Sequence, residues 1–123
     1  MKVLLPIKPV YVDRILCGSK RFEFRKKPFG RKVDCVVIYA SSPVMKVVGE
    51  FVLDGYVVGD KDYVWQMCKD YAGVDRAVYD TYYWGRECAC ALKIGNVVRY
   101  KTPQNLKECF GIKPPQSFCY LQG

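Results

Sequence analysis

Hydrophobic residues in this chain come in short runs that glycine, proline or charged residues interrupt. The longest uninterrupted run, at 35–40, has six residues, whereas a helix that crosses a bilayer needs about 20. Runs of this length are typical of short strands and helices that bury one face. Half of the 123 residues are hydrophobic, so residues 1–123 are predicted to form a single domain with its own core.

The start of the chain and its cysteines bear on the cellular compartment. The apolar stretch between Lys2 and Lys8 is too short for the core of a secretory signal. The seven cysteines are an odd number without a Cys-x-x-Cys pair, and the chain has no histidine. A disulfide framework, a zinc site and every Ser-His or Cys-His mechanism are therefore disfavoured. We expect a cytoplasmic protein with reduced, mostly buried thiols, no metal or other cofactor, and no membrane partner.

Positive charge is concentrated in the first quarter of the chain. Residues 1–32 contain ten basic and two acidic residues, which accounts for the whole net charge of +8, because residues 33–123 hold ten of each. A cluster of one sign attracts polyanions and favours phosphate backbones. The alternatives are a solvated basic loop that aids solubility, or a surface for an acidic protein partner.

The clearest strand signal lies inside this basic segment. At 21–25 the sequence reads Arg-Phe-Glu-Phe-Arg, which is the strict alternation of a half-buried strand. Phe22 and Phe24 should face the core, and the opposite face should carry Arg21, Glu23 and Arg25.

Similar patterns predict the remaining elements. In chain order they are a strand at 1–7, a helix at 9–17 that ends at Gly18, strands at 33–40 and 46–53 with Gly49 at a bulge or close approach, helices at 60–72 and 75–82, a hairpin of 88–94 with 97–100 around Gly95 and Asn96, a short helix at 102–109, and an extended segment at 117–121. Five or six short strands with two to four short helices indicate an α+β fold that is mainly β, namely a small, curved, mainly antiparallel sheet or barrel with helices at its ends.

Several of these stretches, in order from residue 4 to residue 121, resemble the ASCH domain family, whose fold is a PUA-like β-barrel. The most diagnostic is the G-x-K-x-x-E-x-R segment at 18–25. The others are Ile7-Lys8-Pro9 before a helix, Tyr39-Ala40-Ser41-Ser42-Pro43, Val48-Gly49-Glu50-Phe51, and Pro114-Pro115-Gln116-Ser117-Phe118 with Tyr120. The resemblance implies a single ASCH/PUA-like domain.

The resemblance also implies a function. ASCH domains resemble RNA-binding modules related to the PUA domain, and a small bacterial branch hydrolyses N4-acetylcytidine with a lysine, a threonine three positions later and a glutamate. That lysine corresponds to Lys20, but Glu23 stands where the threonine would be. The implied partner is RNA, a single-stranded nucleic acid, or a nucleotide or nucleoside. Such binding could regulate RNA metabolism or transcription. An amidohydrolase of N4-acetylcytidine type is the alternative, and a protein-interaction module is the third.

Independently of the family, Lys20, Glu23 and Arg25 form the best candidate constellation. On a strand, Glu23 and Arg25 lie about 6 to 7 Å apart on one face, so their side chains can pair or grip one ligand. A carboxylate-held arginine presents a fixed fork to phosphate or a base edge, and Glu23 can accept a hydrogen bond from an exocyclic amine. The alternative is an ordinary ion pair on a wet face.

The predicted ligand-binding cleft includes further residues around this constellation. Should the protein be an enzyme, Lys20 and Glu23 are the catalytic candidates, with Ser42 as a substitute nucleophile. Glu50 is either a cleft acid or a solvent-facing strand residue, and the rings at 79–84 either stack bases or form core. The full predicted binding set is Lys8, Lys20, Glu23, Arg25, Lys26, Lys27, Ser41 and Ser42.

Overall fold

The computed structural model describes residues 1–121, which form six strands, four α-helices and one 3-10 turn. The elements are β1 (Lys2–Ile7), α1 (Pro9–Cys17), β2 (Phe22–Arg25), β3 (Cys35–Ala40), β4 (Lys46–Asp60), α2 (Lys61–Cys68) with a 3-10 turn (Lys69–Tyr71), α3 (Arg76–Tyr82), β5 (Cys88–Gln104), α4 (Leu106–Phe110) and β6 (Cys119–Leu121). The predicted α+β class with a majority of strand is confirmed. None of the helices within 1–121 is long and apolar enough to cross a membrane.

All six strands belong to one mixed sheet in the order β2-β5-β4-β3-β1-β6. Only β1 and β3 run parallel, and the other neighbours are antiparallel. Within the described residues the two edge strands, β2 and β6, do not pair, so the expected barrel is not closed. The edges approach through side chains instead: the Arg25 guanidinium donates to the Ser117 hydroxyl at 2.6 Å, and the rings of Phe29 and Phe118 lie 5.0 Å apart.

The central strands are buried on both faces. Alternate residues of β1 divide between two clusters: Val3 and Leu5 pack with Ile15 of α1, whereas Leu4 packs with Leu106 of α4 on the other side. Strands covered on both faces have near-continuous apolar sequences, which explains the uninterrupted run at 35–40.

Helix ends follow the capping residues that the sequence supplies. Gly18 ends α1 in a left-handed conformation with φ of 90°. The carboxylate of Asp60 accepts from the backbone amides of Asp62 and Tyr63 at the start of α2. Asp75 accepts from the amide of Val78 in α3. These local bonds satisfy the free amides of a first helical turn, which is why helix positions were predictable.

Helix α3 is fixed over β2 by two buried tyrosines. The Tyr79 ring meets the Phe24 ring edge-on at 5.0 Å, a favoured aromatic geometry. The Tyr83 hydroxyl donates to the Arg25 carbonyl at 2.7 Å, and the Tyr79 hydroxyl donates to the Lys61 carbonyl at 2.7 Å. This packing sets one wall of the cavity described below.

The predicted hairpin around Gly95 and Asn96 is wrong, because β5 runs through both residues to Gln104. Its partner is β4, and the pairing register shifts on both sides of Leu53. A Cβ on Gly95 would lie 3.0 Å from the Val52 carbonyl oxygen, so this glycine serves a close approach of strands rather than a turn. The predicted helix at 102–109 begins only at Leu106, since the residues before it extend β5.

The cysteines are free thiols, as expected, but burial is less general than expected. Cys68 and Cys90 are buried, Cys35 and Cys119 are half-buried, and the others, Cys17, Cys88 and Cys109, are exposed. Cys88 and Cys90 are two residues apart on β5 and therefore lie on the same side of the strand. Cys88 is exposed as the first residue of the strand, whereas Cys90 belongs to the core.

Replacing Gly49 by alanine should destabilise the fold. A Cβ at this position would lie 2.5 Å from the Val98 carbonyl oxygen, so β4 and β5 must separate locally. We expect the free energy of unfolding to fall by about 1 to 3 kcal/mol, measured by urea denaturation. Gly30→Ala is the control, because its nearest neighbour would be the Tyr120 hydroxyl at 3.8 Å. Equal stabilities of the two variants would contradict the close approach.

Candidate functional site

A cavity of about 620 Å³ opens between three parts of the chain. Its walls come from segment 6–11 at the end of β1 and start of α1, segment 20–25 on and before β2, and segment 74–82 on and before α3. Volumes of this size are typical of pockets for small molecules. Most lining residues are apolar or aromatic. The charged ones are the basic residues Lys8, Lys20 and Arg25 and the acidic residues Glu23 and Asp75.

Lys20 is the most unusual residue of this cavity, because only 1 % of it is exposed. Its ammonium donates to the Ala72 carbonyl at 2.7 Å and lies 3.6 Å from Glu23 Oε1. It also lies 4.9 Å from the centre of the Phe24 ring, within the range of a cation–π contact. Burial lowers the pKa of Lys20, and the Glu23 carboxylate opposes that effect.

The backbone around Gly73 is shaped to accommodate the Lys20 stem. Gly73 has a φ of +68°, and a Cβ there would lie 2.4 Å from Lys20 Cβ. The Arg14 guanidinium donates to the Gly73 carbonyl at 2.6 Å, and the Lys20 amide donates to the Arg14 carbonyl at 3.0 Å. Residues more than 50 positions apart in sequence therefore hold this lysine in place.

Glu23 shares the partly enclosed setting of Lys20. It is half-buried on β2, and burial raises the pKa of its carboxyl, while the charges of Lys20 and Arg25 oppose that rise. Because burial shifts the two pKa values toward each other, proton transfer within the pair is easier than between exposed groups. Such a pair suits general acid–base chemistry. The alternative of an ion pair on a wet face is wrong, since the lysine is inside the protein.

Arg25 lines the same cavity but has a different partner from the one expected. Its guanidinium donates to the Ser117 hydroxyl at 2.6 Å and to the Ser117 carbonyl at 3.4 Å. Within residues 1–121 no ion pair joins it to Glu23. Arg25 is thus oriented by the segment before β6, and Glu23 is paired with Lys20 instead.

The other predicted basic residues divide between the cavity and its surroundings. Lys8 is exposed and lines the cavity. Lys26 lies outside the lining, where its ammonium donates to the Tyr82 carbonyl and sits 4.1 Å from the centre of the Tyr82 ring. Desolvation and the charge of Arg86 lower the pKa of Lys26. Lys27 is exposed and also lies outside the lining.

The Ser41-Ser42 turn lies beside the cavity rather than in it. The Ser41 amide donates to the Ile7 carbonyl at 3.0 Å, which places the turn at the end of β1. Neither serine is among the described residues that line the cavity. Glu50 lies elsewhere on the sheet, where its carboxylate accepts from the Tyr100 hydroxyl at 2.7 Å and the Cys35 thiol at 3.1 Å.

Sequence reasoning missed Tyr11 and Thr81, which line the cavity. Tyr82 also lines it, and it is one of the rings at 79–84 predicted either to stack bases or to form core. Helical spacing was the available signal, and it does not show which side of a helix faces β2. Of the rings at 79–84, Tyr79 and Tyr83 are core, Tyr82 is half-buried and Trp84 is exposed.

The fold is that of a small α+β protein with a six-stranded mixed sheet, and its cleft holds a buried lysine paired with a half-buried glutamate. The crystal structure of ASCH from Zymomonas mobilis superposes with a TM-score of 0.89, at 29% identity, over 98% of this chain and 87% of that one. The curated ASCH domain-containing ribonuclease of Zymomonas mobilis is 30% identical over an alignment that covers 98% of this chain and 84% of the relative. The chain belongs to the ASCH domain family, and that prediction is confirmed.

A second kind of relative is longer than this chain. The large ribosomal subunit protein uL22 of Ureaplasma parvum serovar 3 is 35% identical over 104 residues. The matched region is 85% of this chain but 33% of the relative, so the chain spans about a third of that protein. No protein-family model matches the chain.

Replacing Lys20 by methionine should destabilise the protein in a pH-dependent way. The change removes the donor to Ala72 and the counter-ion of Glu23, so we expect a loss of about 1 to 3 kcal/mol near neutral pH. Without Lys20, the pKa of Glu23 rises further above its ordinary value of 4.5. At pH values below 4.5 the Glu23 carboxyl is mostly neutral in both the folded and the unfolded state. The share of the lost free energy of unfolding that comes from an unpaired Glu23 carboxylate therefore disappears on acidification.

The measurement is urea denaturation at about pH 4 and about pH 8. Lys27→Met, at an exposed lysine nearby, controls for the loss of one charge. A loss for the Lys20 variant that is the same at both pH values would show that Glu23 does not depend on this ammonium.

Proposed function

We propose that this domain binds single-stranded RNA and takes one nucleotide into the cavity beside Lys20 and Glu23. The observation that carries the proposal is the pair of buried Lys20 and half-buried Glu23 in the wall of an open cavity of about 620 Å³. Burying a charged pair is costly for stability, and such pairs in clefts are typical of functional sites. The aromatic and aliphatic remainder of the lining suits the faces of a base.

The polar groups of the cavity match the edges of a nucleotide. The Glu23 carboxylate can accept from an exocyclic amine, and the Lys20 ammonium can donate to a ring nitrogen or carbonyl oxygen of the same base. Tyr11 and Tyr82 supply rings near the base. Lys8 and the Ser117-oriented Arg25 can bind the attached phosphate, for which a fixed guanidinium is well suited.

The residues around the cavity extend this surface for a longer strand. Lys26 and Lys27 follow β2 directly, and the Ser41-Ser42 turn lies beside the end of β1. We assign all four to the phosphate backbone on either side of the bound nucleotide. The names of two relatives, a ribonuclease and a ribosomal protein, support a role with RNA.

Cleavage of RNA is the second candidate function, and the name of the 30% identical relative favours it. Internal transesterification needs a base that takes the proton of the 2′-hydroxyl as its oxygen attacks the adjacent phosphorus. It also needs an acid that protonates the departing 5′-oxygen. Burial shifts both groups in the direction that these roles need, since it raises the pKa of Glu23 and lowers that of Lys20.

The two remaining alternatives have less support from the geometry. Hydrolysis of N4-acetylcytidine would lack a hydroxyl at position 23, and the substitute Ser42 is outside the cavity lining. A protein-interaction module would use the basic segment but leave the cavity without a role. Acetate release from N4-acetylcytidine, or co-purification of an acidic protein without RNA binding, would favour these alternatives.

RNA binding should weaken steeply with salt and depend on Glu23. We expect the affinity for a labelled single-stranded oligoribonucleotide to fall at least about tenfold between about 50 and 200 mM salt, because counterions are released from several phosphates. Glu23→Gln should weaken binding, since the amide replaces one acceptor by a donor at the base edge. The readout is fluorescence anisotropy.

Glu50→Gln is the matched control, because this carboxylate lies outside the cavity lining. Neutralising Lys26, Lys27, Arg31 and Lys32 together should reduce the salt dependence. An affinity that ignores salt, or equal effects of the two glutamine variants, would count against the proposal.

Cleavage, if it occurs, should require both Lys20 and the 2′-hydroxyl. We expect Lys20→Met to reduce the rate at least about 100-fold, the usual size of a general acid–base contribution. The measurement is gel analysis of an end-labelled strand that carries one 2′-deoxy position, which should resist cleavage there. Tight binding without any cleavage by the unaltered protein would restrict the function to binding.

A further inference from the structure

We propose that the exposed Trp84 ring stacks on the base of the nucleotide next to the one in the cavity. The inference rests on the proposed function and extends it, because it makes the ligand a strand of at least two consecutive nucleotides. Base–aromatic stacking is the usual way in which proteins bind single strands without reading their sequence.

Trp84 differs from the other rings of its segment. It is 86% exposed, whereas Tyr79 and Tyr83 are almost completely buried in the core. No other large hydrophobic residue within 1–121 is as exposed; the next, Met67, is 57% exposed. The core therefore accounts for the neighbouring tyrosines but not for this tryptophan.

The position of Trp84 is continuous with the cavity. Thr81 and Tyr82 line the cavity at the end of α3, and the Trp84 amide donates to the Thr81 carbonyl at 3.3 Å. Two residues span at most about 7 Å, so the Cα atoms of Tyr82 and Trp84 are no further apart than that. Stacked bases are spaced by about 3.4 Å, and a neighbouring base can therefore reach the ring.

Two cations accompany the ring. The Lys26 ammonium lies 4.1 Å from the centre of the Tyr82 ring. Arg86 is exposed two residues after Trp84, and its amide donates to the Tyr83 carbonyl at 2.9 Å. Both side chains are exposed cations, which is the kind of group that binds phosphate.

Asp80 is paired with Arg76 at 2.9 Å, so Glu87, which is exposed beside Arg86, is the acidic residue that opposes the two cations. The balance of charge at this turn is still positive. A flat ring with two neighbouring cations matches the face of a base and the phosphate beside it. An apolar protein partner would leave Lys26 and Arg86 without counter-ions, so we favour the nucleic acid.

The experiment uses Trp84 as its own reporter. The chain has two tryptophans, and Trp65→Phe keeps a ring against Tyr79 while leaving Trp84 as the single tryptophan, whose emission is excited selectively over that of the tyrosines. In this parent protein we expect a short single-stranded oligoribonucleotide to quench the fluorescence and a mononucleotide to bind with less quenching. Anisotropy of labelled RNA and calorimetry with the mononucleotide then give the affinities of variants.

Trp84→Ala in the same parent should weaken oligonucleotide binding about 5- to 100-fold and leave mononucleotide affinity unchanged. Tyr63→Ala is the control, because this ring is 53% exposed on α2 and lies outside the cavity lining. It should change neither affinity.

Two failures are distinguishable. Undiminished oligonucleotide binding by the Trp84 variant, with binding by the parent intact, overturns the stacking inference and leaves the proposed function standing. If the parent binds neither RNA nor mononucleotide, both proposals fall. Circular dichroism confirms that each variant is folded, which the solvent exposure of Trp84 leads us to expect.

Discussion

The packing of α3 on β2 is the interaction on which the cavity depends. Tyr83 uses its ring against Phe24 and its hydroxyl on the Arg25 carbonyl, so one side chain joins the hydrophobic layer to the backbone of the edge strand. An edge strand has free backbone groups that need partners, and this tyrosine satisfies one of them. Without this contact the helix would have no fixed distance from Glu23, and the cleft would have no defined width.

Local elements of this fold were predictable from the sequence, whereas the site was predictable only in part. Alternation at 21–25 and the Gly18 cap act over a few residues, so pattern alone locates a strand and a helix end. The burial of Lys20 depends on Gly73 and Ala72, which no local pattern connects to it. Gly95 illustrates the opposite error, because the same residue type serves a turn or a close approach of strands, and only the partner strand decides.

The charge count overstated the free positive charge of the first quarter. Lys20 is enclosed, Arg25 is bound to Ser117, and Arg31 lies 4.8 Å from the centre of the Tyr120 ring. Several cations of the segment thus contribute to the structure, and they orient its edge strands. Others, such as Lys27, are exposed on the surface. A net charge read from sequence gives the sign of the surface but not the number of available contacts.

Helix α3, which forms one wall of the cavity, belongs to an insertion between two strands that are paired where the insertion begins and ends. Asp60, the last residue of β4, is the register partner of Cys88, the first residue of β5. Residues 61–87 therefore leave the sheet and return to it at neighbouring points, as a hairpin loop does. Changes of length or sequence in such an excursion cost the ladder little. Evolution can accordingly remodel what the pocket accepts while the six-stranded platform stays the same.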